Sequence, residues 1–173
     1  MVIGVKVDTG GWKEFRIGDL FDVVKGTRLT KADMRDGEIN FIGASAMNNG
    51  ITKKISNDQY LHPANVLTVN YNGSVGETFY QTEQFWASDD VNVLYPKFDL
   101  NQSVALFIAP IIRRVGKTKY QFIDKWKQKD MKKDTILLPA TASGDPDWAF
   151  METYMKEVER KAYSNINALR GQI

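Results

Sequence analysis

A chain of 173 residues, 43% hydrophobic and 25% charged, has the size and make-up of one globular domain with room for a helical extension. It contains no cysteine, which excludes disulfides and thiolate metal sites, and its single histidine, His62, leaves little for a zinc site or a Ser-His-Asp triad. The net charge of +2 hides a division: Arg113 to Lys133 holds nine lysines and arginines against Asp124 and Asp130, so that segment carries +7 and the remainder −5, the distribution of a surface facing a polyanion, with a solvated charged loop as the plain alternative.

Met1 to Gly11 lacks the apolar core of a signal peptide, and no apolar run is long enough to cross a bilayer. The expectation is a soluble, cytoplasmic protein of a reducing compartment. Trp12 to Lys25 is dense in apolar residues, a pattern that predicts a helical turn at Ile17–Leu20 and then a buried strand. Thr30 can cap a short helix through Arg35. Ile39 to Ile42 reads as a strand. Asn48-Asn49-Gly50 reads as a turn, because Asn and Gly tolerate positive φ. Val66–Tyr71 and Ser74–Tyr80 flank Asn72-Gly73, a hairpin signal. Val91 to Tyr95 is a further strand. Asn101 can cap a helix running through Ile112, with Pro110 as a possible kink. Ile136 to Leu138 is the last strand, stopped by Pro139.

The texture changes at Ser143-Gly144-Asp145-Pro146, where Asp145 suits an N-cap and Pro146 the first helical position. Apolar residues then recur at Trp148, Met151, Met155, Val158, Ala162, Ile166 and Leu169, spaced mostly by three and four. A helix over 145–170 would be about 35–40 Å long. Its stripe resembles a coiled-coil seam, or else the face of a helix folded back on its own domain.

Three catalytic patterns fail on their chemistry. Gly116-Lys117-Thr118 ends like a phosphate-binding loop, but Ile111 stands where that loop needs glycine. Asp147 with Glu159-Arg160-Lys161 mimics a nuclease signature. On one helix, twelve residues apart, the two carboxylates would be separated by about 18 Å, too far to share a metal ion. Asn70-Tyr71-Asn72-Gly73 lacks both prolines of the amino-methyltransferase tetrapeptide. No metal, cofactor or catalytic residue is expected.

The ordered set of local signatures carries the functional reading. Trp12-Lys-Glu-Phe-Arg-Ile-Gly-Asp-Leu-Phe opens it. Phe41-Ile-Gly-Ala-Ser, Asn48-Asn-Gly-Ile, Thr68-Val-Asn-Tyr-Asn-Gly-Ser-Val-Gly and Phe85-Trp-Ala-Ser-Asp-Asp-Val-Asn-Val-Leu follow, and Ile136-Leu-Leu-Pro with Gly144-Asp-Pro-Asp-Trp-Ala-Phe-Met-Glu closes it. From Trp12 to Tyr154 this set resembles the target-recognition domain of type I restriction–modification specificity subunits and their type IIB/IIG relatives. The resemblance implies an α/β (α+β) fold: a recognition domain over 12–142 with a twisted, mostly antiparallel sheet, and a C-terminal spacer helix over 145–170. It implies a non-catalytic subunit that reads one half of a split site in double-stranded DNA. It further implies docking by a methyltransferase subunit, with a translocase–nuclease subunit as a possible addition, and no membrane. Full specificity subunits carry two such domains, and this chain has one. A protein-interaction fragment that substitutes for, or interferes with, a host specificity subunit is the alternative.

For DNA contact the candidates are Asn48, Asn49, Lys53, Lys54, Asn72, Ser74, Trp86 and Ser88, with Gln84 as a further loop tip. Asn and Gln suit adenine edges, and Arg and Lys suit guanine or phosphate. Asn72 and Ser74 could equally serve only to make the turn, Trp86 could be core, and Lys53 and Lys54 could be plain surface. In the basic segment Arg113, Arg114, Lys117, Lys119 and Lys127 are expected on phosphates. Met151, Met155, Val158, Ala162 and Leu169 form the expected interaction stripe, for a homodimer or for the methyltransferase.

Overall fold

The computed structural model describes residues 7–121 and 123–170; the N-terminal stretch before Val7, part of the segment tested for a signal core, lies outside them. Strand β1 (Trp12–Arg16) leads into helix α1 (Ile17–Leu20) and strand β2 (Phe21–Lys25). This is the helical turn and buried strand expected from the apolar run: Ile17, Phe21 and Val23 are all buried. Strand β3 (Asp36–Ile42) reaches strand β4 (Ile51–Ile55) through a 3-10 turn at Asn48–Gly50. Asn48, Asn49 and Gly50 all take positive φ there, at 50°, 53° and 79°, as the Asn-Asn-Gly sequence anticipates. Strands β5 (Val66–Asn70), β6 (Thr78–Gln81), β7 (Phe85–Ala87) and β8 (Val91–Pro96) follow. Helices α2 (Gln102–Lys119) and α3 (Gln128–Lys133), strand β9 (Thr135–Pro139) and helix α4 (Trp148–Arg170) complete the order.

The strands distribute over three sheets: β2-β8-β5-β6, β4-β3-β7, and the pair β1-β9. Pairing is antiparallel except between β3 and β7. The four-stranded sheet is central. Side-chain alternation along β8 shows why, because successive residues of a strand face opposite ways. Leu94 joins Leu67 and Val69 of β5 in a core with Val104, Ile108 and Ile112 of α2 and Met131 of α3. Val91 and Val93 face the other way, against Ile42, Phe85 and Ala87 of the second sheet. A mixed α/β core with sheets on one side and helices on the other results.

Four local expectations need correction. Thr30 starts a single turn, with Asp33 N and Met34 N donating to its carbonyl, and no helix continues to Arg35. Asn57 intervenes by accepting from Arg35 N at 2.9 Å and donating to Asp33 O at 3.1 Å. The β5–β6 connection is no two-residue hairpin. It spans residues 71–77, with Gly73 and Gly76 at φ 64° and 83°. Pro110 lies inside α2 on its exposed side, and the helix runs through it. Apolar residues buried before and after it, Val104, Ala105, Ile108 and Ile112, hold the helix across the missing N–H. Helix α4 is capped by Asp147, whose Oδ1 accepts from Phe150 N at 2.9 Å. Asp145 instead closes the preceding loop, and Pro146 is held extended by a bridge to Ala140. The Asn101 cap forms as expected, Oδ1 accepting from Val104 N at 3.0 Å.

Helix α4 divides in two. Its first turns lie on the domain: Trp148 stacks on Phe98 with centroids 3.9 Å apart, and Tyr154 meets Phe107 edge-on at 5.6 Å. Met151 is fully buried and Met155 packs on the same core. Further on, Tyr163, Ile166 and Leu169 are exposed.

Candidate nucleic-acid interface

Strand directions gather five loops at one end of the two larger sheets. The C-terminal ends of β2, β3, β5 and β7 lie there, with the N-terminal ends of β4, β6 and β8. The loops are 26–30, 43–50, 71–77, 88–90 and, arriving from α2, the described residues 120–121 and 123–127. They are tied to one another. Asn70 Nδ2 donates to Ser45 O at 3.0 Å, Tyr71 Oη to Asp89 O at 2.6 Å, and Asn72 Nδ2 to Asp90 Oδ1 at 2.7 Å. Gly26 N donates to Val91 O and Trp126 N to Tyr71 O. Arg28 and Asp89 form an exposed ion pair at 3.7 Å.

The rim is fixed from below. Gln81 Nε2 donates to Thr68 Oγ1 at 3.0 Å and to Asn49 O at 3.2 Å, and Asn49 Nδ2 returns to Tyr80 O at 3.0 Å. Gly116 of α2 touches the rim loop so closely that a Cβ on it would meet the Trp126 ring at 2.6 Å and Gly76 Cα at 2.7 Å. Trp126 Nε1 and Tyr120 Oη both donate to Asp134 Oδ2, at 2.7 and 2.8 Å. Burial, and then this carboxylate, push the Tyr120 hydroxyl well above the ordinary tyrosine range.

The residues singled out from sequence separate in space. Asn48, Asn49, Asn72, Ser74 and Ser88 come together on the rim. Of these, Asn49 is committed to Tyr80 and Gln81, and Asn72 to Asp90. Asn48 keeps its turn by donating to Ile51 O at 3.2 Å. Trp86 does not reach the surface. It is 2% exposed, its Nε1 donates to Thr27 O at 2.8 Å, and it belongs to a core cluster with Phe41 and Ile55. Its assignment to DNA contact is therefore corrected to packing. Lys53 and Lys54 stand along β4, away from the tips, opposite Asp36 at 3.0 Å and Glu38 at 3.5 Å. Gln84 lies at the far end of the sheets, between β6 and β7.

The cations divide as sharply. Arg113 lies 3.0 Å from Glu77 with Lys117 on the same carboxylate, and Lys119 is 2.7 Å from Asp134. Arg113 also donates to Thr78 O at 3.1 Å and covers the Phe79 ring. Arg114 points to another face, into a groove with Trp12, Ile111 and Leu137. Lys127 stays at the rim with Lys125, beside Lys25. Lys25 sits 5.4 Å over the Tyr71 ring, and its hydrogen bond to the Tyr71 hydroxyl raises its pKa against a smaller effect of burial. Lys25 and Arg28 went unflagged in the sequence because each stands alone there; only the pairing of β2 with β8 brings them to the rim.

His62 is structural: buried, stacked on Phe85 and 2.6 Å from the Tyr95 hydroxyl through Nδ1. Burial lowers its pKa. Gly116-Lys117-Thr118 is helical, and Asp147, the cap of α4, stands twelve residues before Glu159 within that helix. Among the described residues no group of acidic or histidine side chains could hold a metal ion, and no helix is long and apolar enough to cross a membrane.

Solved specificity subunits share this architecture. The HsdS subunit from Thermoanaerobacter tengcongensis superimposes with a TM-score of 0.62 at 15% identity, over 96% of this chain and 41% of that one. The type I restriction–modification S subunit from M. genitalium gives 0.58 at 13%, over 94% and 44%. At such identities the likeness is one of fold. Sequence goes further: the family described as type I restriction modification DNA specificity domain matches residues 9–168, and the chain belongs to that family. It is also 45% identical over 151 residues to the type II restriction enzyme BgcI specificity subunit S.BcgI of Heyndrickxia coagulans, covering 87% of this chain and 44% of that protein. The chain thus spans less than half the length of the relatives it matches.

Proposed function

We propose that this chain recognises one half-site of a double-stranded DNA target through the loop rim, as a specificity module that directs a partner methyltransferase and nuclease. The observation that carries the reading is the convergence at one end of the sheets of tied polar loops with Lys25, Arg28, Lys125 and Lys127, in a chain of the DNA specificity family. Tied loops present base-reading side chains with little ordering cost, and cations beside them supply phosphate contacts. Catalysis is left to the partners.

Residues 12–142 form the reading part in this proposal, and α4 beyond Met155 the spacer that meets a second copy or the methyltransferase. The exposed Tyr163, Ile166 and Leu169 support that role, with Val158 and Ala162 between them and the domain. Met151 is consumed by the domain's own core, so the seam starts further along than the sequence stripe suggested.

The test is duplex binding as a function of salt. The affinity should fall linearly on a log–log scale, with a slope of about 0.9 per phosphate contact. Binding without salt dependence, or no binding to any duplex from a randomised pool, would refute the reading.

A further inference from the structure

Beside the rim, Lys25, Tyr71, Asn92, Lys125, Lys127 and Gln128 line a cavity of about 320 Å³. Its wall is built by strand pairing. Lys25 of β2 stands directly opposite Asn92 of β8, so both side chains leave the same face of the sheet. On that face Asn92 is fully buried; its Nδ2 lies 3.8 Å from Met131 Sδ, and its Oδ1 has no partner. The far wall is fixed as well. Gln128 Nε2 donates to Val23 O at 2.9 Å, and the buried Trp126 holds its loop to Tyr71 O and Asp134, leaving its neighbours Lys125 and Lys127 exposed at the mouth.

The chemistry of the lining restricts the ligand. Three ammonium groups call for an anion. A phosphodiester or a fully ionised phosphate ester brings only acceptors and leaves the Asn92 carbonyl oxygen unanswered, and a buried polar atom without a partner is costly. The ligand must carry a hydrogen-bond donor beyond its charge, on a group flat enough to enter beside an aromatic ring. An asparagine amide pairs well with the amino edge of a base.

We propose that this cavity is a single-nucleotide pocket: the phosphate lies on Lys25, Lys125 and Lys127, and a base bearing an exocyclic amino group reaches Asn92. The nucleotide is either free or presented by a strand at a position out of its stack. The second source rests on the DNA-recognition reading, and the first does not. Base extrusion costs least where the base is already unpaired, which dictates the probes.

The experiment titrates the whole chain with dAMP, dTMP and deoxyribose 5-phosphate, following the Asn92 side-chain amide by NMR. In parallel it measures affinity for one arbitrary duplex, fully paired or carrying a single bulged dA or dT. The expected result is a shift of the Asn92 amide with dAMP and about tenfold weaker binding of dTMP, with a similar preference for bulged dA if a strand is the source. Lys125→Glu, at an exposed position, should abolish both without altering Tm, and Asn92→Leu should erase the dA-over-dT preference while keeping phosphate binding. A dAMP shift with no bulge preference assigns the pocket to a free nucleotide. Equal binding of all three small ligands with a silent Asn92 amide, no binding of any, or binding of an acidic peptide in preference to dAMP overturns the proposal. Ordinary duplex binding, scored separately, shows whether the wider DNA reading stands.

Discussion

The two halves of the basic segment carry similar charge and do different work. In α2, Arg113 and Lys117 neutralise the buried Glu77, and Lys119 meets Asp134. Past the helix, Lys125 and Lys127 flank the buried Trp126 and stand at the rim beside Lys25. The first half is committed to holding the rim loop in shape, the second to what the rim faces. A +7 count along the chain measures charge present; only the partners show how much is available to a polyanion.

The largest expected effect breaks the first half. Arg113→Ala with Lys117→Ala strands the Glu77 carboxylate, whose side chain is 9% exposed. Unfolding in urea should show a loss of about 2–3 kcal/mol, less than for a fully buried pair because both cations are part-exposed. If stability holds and the salt slope of duplex binding falls instead, the helical cations face DNA after all. Next comes Lys125→Ala with Lys127→Ala. Tm should stay put while the salt slope drops by about two units, affecting specific and random duplexes alike. An unchanged slope would remove this loop from the interface. A third, smaller effect joins the halves. Asp134→Asn weakens the acceptor for Lys119, Tyr120 and Trp126, and should cost about 1–2 kcal/mol. Local hydrogen exchange should rise around Tyr120 and over residues 123–127; exchange spread evenly over the domain would contradict the pinning role.

The smallest effect lies on the exposed end of α4. Hydrogen bonds from Arg160, and then Lys161, depress the Glu157 carboxyl from its ordinary 4.5 to about 2. A depressed folded-state pKa gives stabilisation that is complete above the unfolded value and is lost as pH falls through the folded one. Helicity of the distal helix should therefore decline slightly between about pH 4.5 and about pH 2, and Glu157→Gln should abolish that step. Fully exposed pairs contribute little, so a large transition would show that the distal helix is packed against something in solution.

Much of the fold was legible because short-range rules fix it. Ile17 to Val23, the Asn48-Asn49-Gly50 turn and the Asn101 cap depend on neighbours within a few residues, and all three form as read. What failed depends on distant partners. Asp145 lost the cap of α4 to Asp147 because Ala140 pairs with Pro146 and delays the helix. Trp86 is core because Thr27, far away in sequence, accepts its indole N–H. At the site, the rim asparagines and serines were visible as loop chemistry. Lys25 and Arg28 were not, since a lone cation becomes part of a cluster only through sheet register. The α4 stripe was periodic throughout, and periodicity alone cannot show that Met151 packs inward while Leu169 does not.

The contact of Gly116 with Gly76 and Trp126 reaches beyond packing. It fuses the backbone of the rim loop to helix α2, and no larger residue at either glycine leaves that joint undisturbed. Ser74, in the same loop, is half-buried and carries no such joint. On the proposed function, the module therefore separates frame from lettering: a lineage could exchange the side chains that spell its target while the joint beneath keeps every new spelling in register.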